Sequence, residues 1–475
     1  MKKHTQRHTR REFLRGASLA ATGFFIVPRH VLGRGFIAPS DRLVVAGIGA
    51  GGKGGDDLSH FFGSGKADIA YLCDVDDRQA AGSIKKYTKA KYYKDFREML
   101  DKEHKHFDAV SVSTPDNIHA IAALSAMQLG KHVYVQKPMT HDIYEARTLT
   151  EAAKRYKVVT QMGNQGSSGD GVRVMQEWYN AGLIGDATAI HVWTNRPVWP
   201  QGTGRPKSTD AVPTELNWDL WLGPATFEEY HKEYVPFSWR GFWAFGTGAL
   251  GDMGCHLIDP AFKTVGLGYP SEVECSVGTV FEKMWTPDYY PESCPVSSSV
   301  KMKFPGKPGK PDVSLYWMDG GIRPERPEEL GPDDQMGDNE GGGVIITGTK
   351  GKLMCGTYGS DPMLLPKSRM SEVAAIPKTL PRVPEGHYTQ WVNACIAGYG
   401  VNQLSSPFEY AGPLTETILM GNLALRSWNV KDSNGRFPGR KKLLWDAPNM
   451  KITNFDEANQ FVKRDYRQGW SPLSL

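Results

Sequence analysis

Six of the nine residues from Gly47 to Gly55 are glycine, and they follow directly on the apolar run Arg42–Ile48. Gly47, Gly49 and Gly52 have the spacing G-x-G-x-x-G. After a strand, such a run makes a tight turn and lets the backbone approach a pyrophosphate at the start of a helix. The motif alone is a weak sign, and a glycine-rich loop that binds nothing competes with it. Its surroundings strengthen it. Short apolar runs recur at 68–73, 109–113, 132–135 and 158–162, with helix-like stretches such as Ile118–Leu129 between several of them. Strands alternating with helices predict a doubly wound parallel sheet. Asp74 ends the second run, where a carboxylate would receive ribose hydroxyls and repel a 2′-phosphate. NAD is therefore expected over NADP, although Arg78 lies close by. Lys53 falls inside the loop.

The third and fourth runs lead into Thr114-Pro115-Asp116-Asn117-Ile118-His119 and Gln136-Lys137-Pro138. Ligands of an open parallel sheet collect beyond the carboxyl ends of its strands, and both segments are predicted to lie there. Proline blocks immediate helix continuation and so keeps Lys137 at the strand tip. A solvated surface lysine is the competing reading.

Beyond Asn164 the pattern changes. Residues 170–185 read as helix, then strand-like runs dominate at 189–193, 273–281, 296–304, 312–317 and 343–347. This predicts a second α/β domain with a large, mostly antiparallel open sheet over residues 165–475, after a Rossmann domain at 42–164. Six of the thirteen tryptophans fall between 193 and 243, with Arg196, Gln201 and Arg240 among them. Arg196, Trp199, Trp239 and Arg240 are candidates for binding a sugar ring and its hydroxyls; core or oligomer-interface tryptophan is the alternative. In Asp252-Met253-Gly254-Cys255-His256-Leu257-Ile258-Asp259, a helix would place residues 252, 256 and 259 on one face. Asp252 would then orient His256 as an acid–base pair. A helix-capping aspartate beside a core histidine, or a metal site, are the other readings. No second histidine supports a metal, and none is expected.

Composition removes other classes. No stretch of 18 apolar residues suggests a membrane span, and no Cys-x-x-Cys pair suggests a zinc or redox site. The net charge of +4 hints at nucleic acid until it is located. Residues 1–33 hold seven Lys/Arg and one acid, leaving 49 basic and 51 acidic residues elsewhere. The excess belongs to a leader, so no nucleic-acid partner is expected. Arg10-Arg11 followed by a short, weakly apolar run resembles a twin-arginine signal peptide at 1–33. This predicts passage through the twin-arginine export machinery and a periplasmic or otherwise exported protein.

Together, the glycine loop, Asp74, Thr114-Pro115 with His119, Lys137-Pro138 and Asp252 with His256 resemble the glucose–fructose oxidoreductase/inositol dehydrogenase (Gfo/Idh/MocA) family, over roughly residues 42–430. The resemblance implies a nicotinamide cofactor and a sugar, polyol or glycoside substrate. It implies Lys137, Asp252 and His256 as catalytic residues, with His256 also at the substrate. It further implies cofactor contacts from Gly47, Gly49, Gly52, Lys53, Asp74, Thr114, Pro115, Asn117, His119, Gln136, Lys137 and Asn164. Position 136 departs from the family's usual Glu, so Lys137 is expected to lack a carboxylate neighbour. An exported enzyme has little free NAD to exchange, so a tightly bound cofactor is expected. Some family members are NAD-dependent glycosidases; in the family that branch lacks the aspartate four before the histidine, which this chain has. A non-catalytic sugar-binding protein is the third class, and the Lys/Asp/His matches argue against it. An open second sheet would need covering, and a homo-oligomer is expected.

Overall fold

The computed structural model describes residues 41–470. The first sheet has six parallel strands in the order β3-β2-β1-β4-β5-β6. They are β1 (Leu43–Ile48), β2 (Ala67–Cys73), β3 (Lys91–Tyr93), β4 (Ala109–Val112), β5 (His132–Val135) and β6 (Thr160–Met162). Five coincide with the apolar runs. The sixth, β3, is three polar or aromatic residues at the sheet edge and carries no apolar run to betray it. Strand order reverses between β1 and β4, the place where a doubly wound sheet opens a crevice.

The connecting helices are α1 (Gly52–Gly63), α2 (Asp77–Lys86), α3 (Phe96–Glu103), α4 (Asp116–Gln128) and α5 (Ile143–Tyr156). Local chemistry fixes where they start. The Asp76 side chain accepts from the Arg78 N–H, and Asp142 with Glu145 forms a reciprocal capping box at the head of α5.

The second sheet has nine strands in the order β15-β14-β13-β7-β12-β11-β8-β16-β17. Its main strands are β7 (Ala187–Trp193), β8 (Glu272–Val277), β11 (Ser298–Phe304), β12 (Val313–Met318) and β13 (Gly343–Gly348). Only β7 and β12 pair in parallel. The expected single run at 273–281 divides into β8 and β9 (Val280–Lys283), and β9 folds back on β10 (Thr286–Asp288) as a separate hairpin. The expected helix at 170–185 ends earlier, as α6 (Asp170–Asn180). The short strands β14 (Gly351–Cys355), β15 (Met363–Leu365), β16 (Leu443–Asp446) and β17 (Lys451–Ile452) extend the two edges.

Alternate residues of β11 and β12 are buried and half-buried, so one face of this sheet packs inward. It meets α8 (Gly248–Val265) and α10 (Phe408–Ser427), which follow α7 (Trp218–Leu222) and α9 (Gly386–Ala397) in chain order. Helix α9 packs away from this sheet, against α1. There Trp391 is fully buried, with its ring 4.8 Å from Phe61 and 5.6 Å from Tyr134.

Candidate active site

The glycine loop and the Thr114-Pro115 turn converge where β1 and β4 end. A cavity of about 460 Å³ opens there, walled by Gly49, Gly51, Gly52, Asp74, Thr114 and Pro115 on the side of the first sheet. Its other wall is aromatic: Trp221, Phe237, Trp239 and Trp470. Gly49 has φ +80°, and a Cβ there would stand 2.3 Å from the Ser113 carbonyl oxygen. The close packing that the third glycine of such a motif allows falls on Gly54, where a Cβ would lie 1.8 Å from the Gly49 oxygen. Around Gly52 there is open space.

Asp74 lies at the cavity as expected, and its carboxylate also braces the loop. Oδ2 accepts from the Ala50 and Gly51 N–H groups at 2.9 and 3.0 Å, and Oδ1 from Asp76 N–H at 3.0 Å. Arg78 is engaged by both Asp76 oxygens, at 2.8 and 2.7 Å. Its guanidinium is therefore committed to a carboxylate and not held out toward a 2′-phosphate.

Several expected cofactor contacts lie elsewhere. Asn117 and His119 do not line the cavity. Asn117 is fully buried and donates to the Leu222 carbonyl at 2.9 Å. The His119 ring sits between the carbonyls of Pro138 and Thr114, at 2.8 and 2.9 Å. Both are buried on α4, while Thr114 and Pro115 of the turn before it line the cavity. Gln136 is buried and gives its amide to Asp57 Oδ2 at 2.8 Å. Sequence reading missed Asp57. This buried carboxylate of α1 also takes Ser113 at 2.8 Å, Tyr388 at 3.0 Å and Lys53 at 2.5 Å. A carboxylate is thus present beside position 136 after all, supplied by another element, and Lys53 is turned toward it at the cavity's edge.

Lys137, Asp252 and His256 are brought together, in a different pattern from the one expected. Lys137 does have a carboxylate partner: its Nζ donates to Asp252 Oδ1 at 2.7 Å and to the Asp252 carbonyl at 3.0 Å. The Arg240 Nε lies 3.4 Å from the same oxygen. Burial alone would raise the Asp252 carboxyl, but Lys137 and then Arg240 outweigh it and hold it at about 2. Asp252 is therefore the lysine's anchor and not the histidine's hydrogen-bond partner. His256 is buried, and its Nδ1 meets no partner. Burial, reinforced by the Lys137 charge and only partly offset by Asp252, pushes it to about 3. The ring is neutral near pH 7 and packs edge-on against Tyr358 at 4.7 Å. Tyr358, at φ +63° in a loop, was invisible to pattern reading because a single loop tyrosine has no periodicity. Asp259, one helical turn further on, belongs to a separate buried network with Tyr410 and Ser167.

The tryptophan cluster is mainly core. Trp218, Trp221, Tyr234, Phe242 and Phe245 form a buried aromatic knot. Trp199 is buried and donates to Gln201 at 3.0 Å. Arg240 lies between Phe237 and Trp239, 4.1 and 4.4 Å from their ring centres, and lines the cavity while reaching Asp252. It joins the cavity to the Lys137–Asp252 pair. Arg196 is half-buried and close enough to Tyr358 for its charge to act on that phenol. Asn164 is fully buried with both amide atoms unpaired, an arrangement that calls for a ligand or water. Among the described residues, no group of three His, Cys, Asp or Glu side chains is placed to hold a metal.

Asp116, at the head of α4, was also missed. It is buried and accepts from Thr247 Oγ1 at 2.6 Å, and burial pushes its carboxyl from 3.8 up to about 7. A folded-state value above the unfolded one costs stability as pH rises from about 4 to about 7. Asp116→Asn is expected to raise the melting temperature at pH 8, by removing a cost on the order of 4 kcal/mol. The gain should vanish near pH 4. Thermal melts at the two pH values check this, and an equal effect at both would refute it.

Comparison with known proteins agrees with this architecture. Residues 42–164 match the oxidoreductase family's NAD-binding Rossmann fold, and residues 181–282 its C-terminal α/β domain. A glycosyl hydrolase family 109 protein of Shewanella pealeana is 28% identical over 211 residues, covering 38% of this chain and 46% of that protein. Levoglucosan dehydrogenase of Pseudarthrobacter phenanthrenivorans is 22% identical over 200 residues, covering 41% of this chain and 42% of the enzyme. The chain thus spans less than half the length of these curated relatives. The solved WlbA dehydrogenase of Chromobacterium violaceum shares the fold with a TM-score of 0.56 at 14% identity, over 82% of this chain and 95% of that one. Both matched domains occur in the expected order on the observed fold, and residues 42–164 and 181–282 belong to the Gfo/Idh/MocA family of oxidoreductases.

Proposed function

We propose that this protein is an exported, NAD-dependent oxidoreductase acting on a CH–OH group of a sugar, polyol or glycoside. The observation that carries the proposal is Lys137 clamped to Asp252, next to a neutral His256, and joined by Arg240 to the glycine-walled cavity. The cavity fits a dinucleotide: the glycine backbone of Gly49, Gly51 and Gly52 lines it, Gly52 with open space around it for a pyrophosphate, and Asp74 stands where a ribose is expected. Arg78, taken by Asp76, favours NAD over NADP.

When bound, the nicotinamide supplies the hydride acceptor. His256 takes the hydroxyl proton as the substrate carbon loses hydride and the C–OH becomes C=O. Lys137 donates a hydrogen bond to that oxygen as negative charge develops on it. Asp252 holds the ammonium in place, and Arg240 holds Asp252.

Export by the leader at 1–33, which lies outside the described residues, is part of the proposal. It requires the cofactor to stay bound and be recycled in place, by a second sugar that is reduced. The aromatic wall of Trp221, Phe237, Trp239 and Trp470 supports retention. The test is to denature the purified protein and assay the supernatant for NAD, then follow NADH absorbance with a panel of sugars and glycosides. No NAD released, and none bound on addition, would refute the proposal.

The glycosyl hydrolase family 109 relatives favour a second reading, redox-neutral glycoside cleavage by transient oxidation, elimination, water addition and re-reduction. Aglycone release without net NADH or keto-sugar would select it. Asp252, which that branch is expected to lack, favours the first.

A homo-oligomer is also proposed. The tip of the β9–β10 hairpin presents Met284 at 82% and Trp285 at 88% exposure, and one face of the nine-stranded sheet is only half-buried. Light scattering should give a multiple of the 52.6 kDa chain mass. Trp285→Lys should reduce it; a monomeric wild type would end this part of the proposal.

A further inference from the structure

A second cavity lies apart from the glycine loop. It measures about 430 Å³ and is bordered by His141, Trp243, Arg426 and Arg464, with Phe227 and Phe242 on its apolar side. A narrow extension of the same region passes Asp142 and Asn422. Its polar lining is unusually poor in partners. His141 is 8% exposed, and neither ring nitrogen completes a hydrogen bond, although the Trp243 main chain lies beside it. Arg464 gives Nε and Nη2 to Glu145 and Nη2 to the Asn117 carbonyl, but its Nη1 is buried and unpaired. The Arg426 guanidinium makes no hydrogen bond or ion pair among the described residues. It rests on the Phe461 ring at 4.3 Å and lies 5.7 Å from the Trp243 ring centre.

The charge balance favours an anion. A guanidinium this enclosed is costly unless something compensates it. The acid that faces it, Asp142, is pushed upward by burial and by Glu145, which disfavours its charged form, and it also lies 3.7 Å from the Arg464 Nε. Glu145 is committed to Arg464 at 2.7 Å, and Glu228 to Arg205 at 2.8 Å. Asp465 and Glu292 also border the cavity, and Glu292 accepts from the Arg205 N–H.

We infer that this crevice binds a small oxyanion, such as a carboxylate or sulfate-like group, held by Arg426, the free Nη1 of Arg464 and a ring N–H of His141. Three N–H donors, from α10, the turn before α5 and the C-terminal segment, suit the two or three oxygens of such a group. The apolar side at Phe227 and Phe242 gives room for an organic body attached to it. The site shares no lining residue with the dinucleotide cavity, and in its narrow extension Asn422 Nδ2 donates to the Thr247 carbonyl at 2.9 Å.

The test uses thermal melts of the full chain in sodium benzoate or sodium sulfate, at ionic strength held constant with sodium chloride. A saturable rise of about 2–5 °C is expected with at least one of them. Arg426→Gln should abolish the rise, and His141→Asn should weaken it. Saturation by benzoate alone assigns an organic carboxylate; saturation by sulfate alone assigns an inorganic ion. If Arg426→Gln does not fold, the His141→Asn series decides alone. No saturable rise in the wild type, or one left unchanged in the folded variants, overturns the inference.

Discussion

Lys137→Met is expected to lower kcat by about 10²–10⁴-fold. Methionine keeps the side chain's length and apolar stem, so the loss isolates the ammonium. Two effects follow from one charge. The Asp252 carboxyl loses the partner that does most to hold it at about 2, and His256 loses the charge that most reinforces the effect of burial. Both values should rise. The acid limb of the kcat/KM profile should therefore move to higher pH in the variant, because less acidic solutions then suffice to protonate His256. A steady-state pH profile separates this from misfolding, which would lower the whole curve without moving it. Wild-type turnover with an unmoved acid limb would remove Lys137 from the reaction.

The second large effect concerns which glycine the dinucleotide loop cannot spare. Gly54→Ala is expected to strip the purified protein of NAD and to lower its affinity by at least about 100-fold. The new methyl carbon would sit 1.8 Å from the Gly49 carbonyl oxygen, a backbone atom at the apex of the turn. Either α1 or the turn must move, and both shape the pyrophosphate cradle. Gly52→Ala meets nothing within 4 Å and carries only the cost of φ +49°, about 1–2 kcal/mol. NAD released per chain on denaturation, compared between the two variants, decides. Equal retention would return the third-glycine role to Gly52, where motif spacing puts it.

The parallel sheet was legible because buried strands are short apolar runs, and five of six announce themselves that way. The edge strand Lys91–Tyr93 does not, since an edge needs no apolar pair of faces. The helix through Asp252 and His256 was legible from spacing, which tells which residues share a face. It does not tell which neighbour wins a carboxylate. Lys137 arrives from beyond the end of β5 and takes the carboxylate that the imidazole was expected to hold. The same limit hid Asp57 and Asp116. Each is a single acid whose significance comes from burial, and burial is decided by elements distant in sequence. His119 shows the reverse error, a conspicuous residue in a telling motif whose ring is spent on two backbone carbonyls.

The packing of α9 on α1 bears on modularity. Trp391 closes the core around Phe61 and Tyr134 from more than two hundred residues downstream. A fragment cut at residue 164 would leave those aromatic rings facing water, so the dinucleotide half is not an autonomous module. Swapping it between relatives by gene fusion would require carrying residues 386–397 along with it.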